Sequence, residues 1–159
     1  MEIKEGYMPF MGYQTYYRIV GKTEEGKSPI ILLHGGPGST HNYFELLDRV
    51  AESGRAVIMY DQLGCGNSFV EGHPELWTPE TWLNELCVLI DYLHIDHFHL
   101  LGQSWGGMLA IIYLIEKQAK GVKSAILSST LSSSKLWASE QHRMIKFMSE
   151  EYQRAIAEA

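Results

Sequence analysis

The sequence predicts an α/β fold with a mostly parallel sheet and flanking helices. Short apolar runs alternate along the chain with segments of helical periodicity, which is typical of this fold class. The apolar runs are continuous rather than alternating, as in strands that are buried on both faces. Glycine-rich or motif-bearing loops follow three of these runs, at residues 34–38, 61–68 and 102–107. Ligands bind at the carboxyl ends of parallel strands, so these loops are the candidate functional segments.

The first sixty residues contain three predicted strands and one predicted helix. Residues 14–20 alternate and are rich in aromatic and β-branched side chains, which predicts a half-buried strand near a sheet edge. Continuous apolar runs predict buried strands at residues 30–33 and 56–60. Between them, residues 42–53 are predicted to form a helix that Gly54 closes.

A strongly amphipathic helix is predicted after residue 77. Thr78 and Pro79 have the character of an N-cap and a first-turn proline. The residues behind them place one apolar stripe on a helix face: Trp82, Leu83, Leu86, Leu89, Ile90 and Leu93. This periodicity predicts that the helix packs against the sheet.

The remaining chain continues the alternation. Residues 98–101 and 122–127 are predicted strands. The segment 105–117 is apolar on nearly every side, which predicts a buried helix with Gly121 as its stop. Residues 135–159 are helical in composition and are expected to form two helices.

Composition excludes several classes of protein. The 159 residues suit one domain, and 45% hydrophobic with 20% charged residues excludes a disordered chain. A net charge of -6 argues against a nucleic-acid partner. The longest strongly apolar run has seven residues, against about 18 for a membrane span, so no membrane partner is expected. Two cysteines suit a reducing compartment, and we expect a cytoplasmic protein.

Ser104 is the candidate nucleophile. The segment Gly102-Gln103-Ser104-Trp105-Gly106 matches G-x-S-x-G and lies between a predicted strand and a predicted helix. A serine on such a turn has a strained backbone, and its Oγ is exposed at the top of the sheet. The helix N-terminus beneath it favours a developing oxyanion. The alternative is an ordinary Gly-Ser turn before a helix.

The loop at residues 34–38 is the candidate partner of that turn. Its glycines leave backbone N–H groups free to face inward with little side-chain bulk. An oxyanion hole takes one N–H group from the residue after the nucleophile and another from such a loop. We therefore predict an oxyanion hole formed by the backbone N–H groups of Gly36 and Trp105. Taken alone, the loop is equally consistent with a plain glycine turn.

The three loops together carry a family resemblance. HGGPG at residues 34–38, DQLGCGNS at 61–68 and GQSWGG at 102–107 resemble the proline iminopeptidase family of α/β-hydrolases, over about residues 16–128. The resemblance implies the α/β-hydrolase fold. It also implies a serine aminopeptidase that releases an N-terminal residue, often proline, from small peptides.

The same resemblance implies a division of the chain. Residues 1–134 correspond to the N-terminal part of the hydrolase core, and residues 135–159 to the beginning of a helical lid. The family order is Ser, Asp, His, so the catalytic Asp and His are expected beyond this chain, which alone should be inactive. The strand at 122–127 would then be an exposed edge that pairs with a companion chain or self-associates. The family often has Arg where Leu63 and Asn67 stand, which leaves the preferred N-terminal residue open.

Other side chains near these loops have two interpretations each. Tyr43 and Phe44 are candidate substrate-binding residues, with ordinary aromatic packing as the alternative. The ring of His34 is expected to brace the oxyanion loop, and Asp61 to hold its own loop through backbone N–H groups. Cys65 has no adjoining base or cation, so we expect an inert thiol rather than a reactive one.

None of the seven histidines has the position of a general base. His41 could line the pocket, and the spacing of His94, His97 and His99 could suggest a metal site. Those three lack a supporting cysteine or carboxylate frame, so we expect neither a metal nor a cofactor. Two alternatives to the aminopeptidase remain open: another small-substrate α/β-hydrolase, such as an esterase or amidase, or an inactive fragment.

Overall fold

A computed structural model describes residues 1–158, which form a six-stranded sheet in the order β1–β2–β4–β3–β5–β6. The strands are β1 Ile3–Phe10, β2 Tyr13–Val20, β3 Ile30–Leu33, β4 Val57–Tyr60, β5 Phe98–Gln103 and β6 Val122–Ser128. The last four run parallel to one another, and β1 and β2 add an antiparallel pair at one side. The predicted mostly parallel α/β fold is confirmed.

Helices connect the parallel strands and continue after β6. The α-helices are α1 Pro79–Tyr92, α2 Trp105–Glu116, α3 Ser134–Ile145 and α4 Glu150–Ala157, and a long 3₁₀ helix spans His41–Ser53. The hydroxyl of Thr78 accepts a hydrogen bond from the Thr81 N–H at 3.2 Å, which confirms the predicted N-cap of α1. Within residues 1–158, no helix combines the length and the apolar character that crossing a membrane requires.

The N-terminal strands differ from the prediction. β1 was not predicted and occupies the sheet edge, so β2 lies one position further in and is mostly buried. The pattern of β1 is interrupted by Gly6 and Pro9. Such residues weaken the strand signal, and they are tolerated at a sheet edge.

The predicted boundaries of two helices also need correction. The segment after Thr40 is a 3₁₀ helix rather than an α-helix, although Gly54 does close it, with φ 75°. α2 ends at Glu116, before Gly121, because the chain turns through positive φ at Gln118 and Ala119. α2 is also buried on one face only, and Ile115 is 67% exposed.

Two apolar clusters cover the two faces of the sheet. The larger cluster joins the strands to α1 and α2 and includes Leu86, Leu89, Leu100 and Leu109, so the stripe predicted for α1 is confirmed as a core face. The smaller cluster lies beneath the 3₁₀ helix. This two-sided packing holds the carboxyl ends of β3, β4 and β5 side by side.

β6 forms the far edge of the sheet among the described residues. Its side chains are mostly exposed, including the apolar Ile126 and Leu127. Neither α3 nor α4 contains a buried residue. The core therefore ends at β5 and α2, and the segment after β6 lies outside it.

Candidate active site

Ser104 lies on a strained turn between β5 and α2. Its backbone has φ 53° and ψ −119°, a conformation that a residue with a side chain rarely adopts. Two hydrogen bonds hold the turn: the Ser104 N–H donates to the Ser128 carbonyl at 2.9 Å, and the Thr130 hydroxyl donates to the Ser104 carbonyl at 2.7 Å. Positive φ at a serine in this position is the geometry that the G-x-S-x-G pattern predicts.

The glycines around Ser104 permit close packing of the turn. A Cβ on Gly102 would lie 2.2 Å from the carbonyl oxygen of Gly106. A Cβ on Gly106 would lie 1.9 Å from the carbonyl oxygen of Leu33, at the end of β3. The first turn of α2 is therefore pressed against both strands, and this contact fixes the height of Ser104 above the sheet.

The three residues predicted for the reaction lie around one cleft of about 360 Å³. The cleft is lined by Gly36, Pro37, Ser104, Trp105, Met108, Ser129, Thr130, Leu131 and Trp137. Among residues 1–158, the backbone N–H groups of Gly36 and Trp105 donate to no protein acceptor. A hydroxyl that lines such a cleft can attack a carbonyl group, and unengaged N–H groups in the same cleft can stabilise the resulting oxyanion.

His34 is buried and braces the loop at residues 34–38. Its Nε2 accepts a hydrogen bond from the Gln62 N–H at 2.9 Å, so its Nδ1 carries the proton and donates to the Gly35 carbonyl at 2.9 Å. Burial lowers the pKa of the ring, which favours this neutral form. The ring lies among backbone groups, as expected for a brace rather than a base.

Gln62 is a residue that sequence reasoning missed. Its side-chain carbonyl accepts a hydrogen bond from the Trp105 indole N–H at 2.8 Å, and its side-chain NH₂ donates to the His34 carbonyl at 3.0 Å. The residue belongs to the glycine-rich loop at 61–68, so its position in a motif was the available signal. The distant partners of its side chain cannot be read from the loop itself.

Asp61 anchors the same loop, as predicted. Its carboxylate accepts hydrogen bonds from the His41 N–H at 2.8 Å, the His41 ring at 2.7 Å and the Asn67 N–H at 2.9 Å. Burial acts to raise the pKa of Asp61, but these hydrogen bonds hold it below its ordinary value. His41 is therefore a buried partner of Asp61 and does not line the cleft beside Ser104.

The two aromatic residues predicted to bind substrate lie in different places. The Tyr43 hydroxyl accepts a hydrogen bond from the Gly35 N–H at 2.8 Å and donates to the Gln103 side-chain oxygen at 3.0 Å. It thereby links the loop at residues 34–38 to the residue before Ser104. Phe44 is 4% exposed and packs in the smaller apolar cluster. Phe44 is a core residue rather than a substrate contact, because successive side chains of a helix point in different directions.

A buried carboxyl group on α1 supports the loop at residues 61–68. Glu85 of α1 is fully buried and accepts hydrogen bonds from the Thr15 hydroxyl and, at 2.9 Å, from the Leu63 N–H. Burial raises the pKa of Glu85 to about 7, although both hydrogen bonds act to lower it. Glu85 was not singled out from sequence. Its position three residues after Trp82 and four before Leu89, on the apolar stripe, was the available signal.

The remaining candidates lie away from catalytic chemistry. Burial raises the pKa of the Cys65 thiol to about 11, which favours the unreactive protonated form. His99 contacts Arg55 and Ser124 at the start of β5, at the opposite end of the sheet from Ser104. The described part of the chain contains no group of three or more His, Cys, Asp or Glu side chains arranged to hold a metal ion. In the same part of the chain, no histidine lines the cleft beside Ser104.

Comparison with known proteins agrees with this geometry. Residues 28–159 match the family model described as the alpha/beta hydrolase fold. A protein of Clostridioides difficile named proline iminopeptidase is 67% identical over 159 residues, which is 100% of this chain and 54% of that protein. The chain thus spans about half the length of the curated relatives that it matches, in their N-terminal part.

Solved structures show the same relationship. The crystal structure of VinJ has 35% sequence identity and a TM-score of 0.87, covering 98% of this chain and 53% of that one. The crystal structure of the proline iminopeptidase of Mycobacterium smegmatis has 32% identity and a TM-score of 0.83, covering 91% and 50% respectively. By sequence family and by fold, the chain belongs to the α/β-hydrolases.

Proposed function

We propose that Ser104 is the nucleophile of a serine aminopeptidase that releases an N-terminal residue, proline in particular, from small peptides or amino-acyl amides. The observation that carries this proposal is the strained turn that presents Ser104 to a cleft where the N–H groups of Gly36 and Trp105 are unengaged. The similarity to proteins named proline iminopeptidase supports the substrate class.

The reaction follows from this arrangement. The Ser104 hydroxyl attacks the carbonyl carbon of the N-terminal residue and forms a tetrahedral oxyanion between the two N–H groups. Each donor lowers the barrier by about 3–4 kcal/mol. A histidine takes the serine proton and delivers it to the leaving amine as the C–N bond breaks, and an aspartate orients that histidine. Water then hydrolyses the resulting acyl-enzyme ester, which releases the N-terminal residue and restores the Ser104 hydroxyl. We place this aspartate and histidine beyond residue 159, following the family order.

The division of the chain belongs to the same proposal. Residues 1–134 form the N-terminal part of the hydrolase core, and residues 135–159 begin a helical lid over the cleft. Trp137 in α3 lines the cleft, which supports a lid at this position. The exposed apolar edge at β6 favours pairing with a companion segment or a second copy of the chain. We assign the protein to the cytoplasm because its two cysteines remain unpaired.

Hydrolysis of L-prolyl β-naphthylamide by the full-length protein tests the function. We expect Ser104→Ala to lower turnover by about 10⁶-fold, because the attacking oxygen is lost. Ser53→Ala, an exposed serine at the end of the 3₁₀ helix, is the matched control and should retain full activity. Wild-type protein that fails to cleave prolyl amides, or a Ser104→Ala variant that still does, contradicts the proposal.

Two further measurements separate the alternatives. An esterase would hydrolyse short acyl esters faster than prolyl amides, so the ratio of the two kcat/KM values distinguishes it from an aminopeptidase. An inactive fragment would leave Ser104 unlabelled by a fluorophosphonate probe in the full-length protein. Residues 1–159 alone should cleave prolyl amides at a negligible rate, and robust cleavage would place a base within this segment.

A further inference from the structure

We propose that Gln62 is a positioning residue for the oxyanion hole, and that its side-chain amide holds the two N–H donors at their working separation. The proposal rests on the proposed function, since it concerns the same cleft. Gly36 lies on the loop after β3, and Trp105 lies at the start of α2. The start of α2 packs on the end of β3, and side chains from other segments can further fix the position of the 34–38 loop relative to Trp105.

The Gln62 side chain bonds to both segments. The Gln62 Oε1 accepts a hydrogen bond from the Trp105 Nε1–H at 2.8 Å, and the Gln62 Nε2 donates to the His34 carbonyl at 3.0 Å. His34 is two residues before Gly36, and the indole belongs to Trp105, whose backbone N–H is the other proposed donor. Both bonds are buried, so water cannot replace them when the amide is removed.

The chemistry of the partners fixes the orientation of the Gln62 side-chain amide. An indole nitrogen only donates and a backbone carbonyl only accepts, so the oxygen of the amide must face Trp105 and its nitrogen must face His34. A carboxylate at this position could accept from the indole but could not donate to the His34 carbonyl. A neutral amide of this length satisfies both partners at once without any change of protonation.

Hydrogen bonds also hold the backbone on both sides of Gln62. The Gln62 N–H donates to the His34 ring, and the neighbouring Leu63 N–H donates to the buried Glu85 carboxyl group. Asp61, on the other side, is held by His41 and Asn67. Because its own backbone is fixed on both sides, Gln62 can transmit a fixed position to the segments that it joins.

An oxyanion hole is sensitive to small displacements. Its donors must lie about 2.7–3.1 Å from the oxyanion, and a misplacement of about 1 Å can cost about 100-fold in rate. Removing the Gln62 side-chain amide leaves Ser104 and both N–H groups in the molecule but no longer fixes their positions relative to one another. The expected signature is a loss of kcat with little change in KM.

The experiment uses three single variants and one double variant of the full-length protein, with L-prolyl β-naphthylamide as substrate. Gln62→Met preserves length and volume but removes both hydrogen bonds, and we expect kcat to fall about 10- to 100-fold with KM within about twofold. Gln62→Glu, when ionised, keeps the acceptor and loses the donor, and should then lower kcat in the same way. Trp105→Phe keeps the backbone N–H and removes only the indole donor. If Gln62 acts partly through the indole, the effects of Gln62→Met and Trp105→Phe on kcat are less than multiplicative in the double variant.

Arg18→Met provides a control for lost stability. The Arg18 guanidinium is buried and paired with Asp48 through two hydrogen bonds of 2.8 Å, away from the cleft. This variant should lower the melting temperature and leave kcat within about twofold of wild type. Gln62 variants that lower the melting temperature but likewise retain kcat would overturn the proposal.

The rate of Ser104 labelling by a fluorophosphonate gives a readout that is independent of the natural substrate, because the phosphonyl oxygen occupies the oxyanion hole. We expect Gln62→Met to slow labelling about as much as it slows turnover. If the wild type reacts with the probe but does not cleave prolyl amides, the proposed function fails, and the labelling rates alone decide the role of Gln62. A wild type that does neither contradicts both proposals.

Discussion

The first turn of α2 packs directly on the end of β3 through Gly106 and Leu33. A Cβ on Gly106 would lie 1.9 Å from the carbonyl oxygen of Leu33 and 2.5 Å from its carbonyl carbon. Both groups are backbone, so neither can move aside as a flexible side chain would. The spacing between the turn at Ser104 and the loop at residues 34–38 therefore depends on the absence of a side chain at position 106.

Gly106→Ala should destabilise the protein. Alanine favours a helix over glycine by about 1 kcal/mol, so helix propensity alone predicts a gain. The collision with the Leu33 backbone outweighs this gain, and we expect the free energy of unfolding to fall by about 3 kcal/mol or more. Urea denaturation followed by circular dichroism measures the change.

Gly12→Ala is the control for that substitution. Gly12 has φ +84°, but no heavy atom beyond its two chain neighbours lies within 4 Å of the position that a Cβ would take, so only backbone strain of about 1–2 kcal/mol applies. A Gly106→Ala variant that is as stable as the wild type would contradict the close packing of α2 on β3.

Glu85 should make stability depend on pH in an unusual direction. Its pKa rises from 4.5 to about 7 on folding because of burial. Between these values the unfolded carboxyl group releases its proton and the folded one retains it, so the free energy of unfolding falls as pH rises through this range. Relative to Glu85→Gln, the wild type should lose about 3 kcal/mol between pH 4 and pH 8.

Urea denaturation of the wild type and Glu85→Gln at several pH values measures this difference. Glu80→Gln, an exposed residue in the first turn of the same helix, is the control and should follow the wild type throughout. A constant difference between wild type and Glu85→Gln across the range would show that the carboxyl group does not titrate on folding.

Cys65 should resist thiol reagents in the folded protein. It is buried, and burial raises the pKa of its thiol to about 11, so little thiolate forms at pH 8. Cys87 is partly exposed on α1 and should react faster with iodoacetamide. Peptide mass spectrometry after brief labelling, with and without urea, identifies the modified residue. Rapid modification of Cys65 without urea would contradict this prediction and indicate a reactive thiol.

Sequence patterns located the elements that depend on local interactions. The N-cap at Thr78, the left-handed glycine after the 3₁₀ helix and the turn at Ser104 each involve residues only a few positions apart. Apolar periodicity similarly identified the buried face of α1. Patterns of this kind fail where a partner comes from elsewhere, as at β1, whose place at the edge depends on pairing with β2.

The candidate site also combines features that local sequence determines with features that depend on distant contacts. The sequence alone determined that a serine would stand on a strand-turn-helix corner, with a glycine loop to face it, because glycine spacing acts within a few residues. Only the tertiary structure decided that Phe44 faces the core, that Glu85 is buried beneath Leu63, and that Gln62 joins His34 to Trp105. These contacts form between segments that are distant in sequence, and their geometry depends on how the sheet aligns its strands.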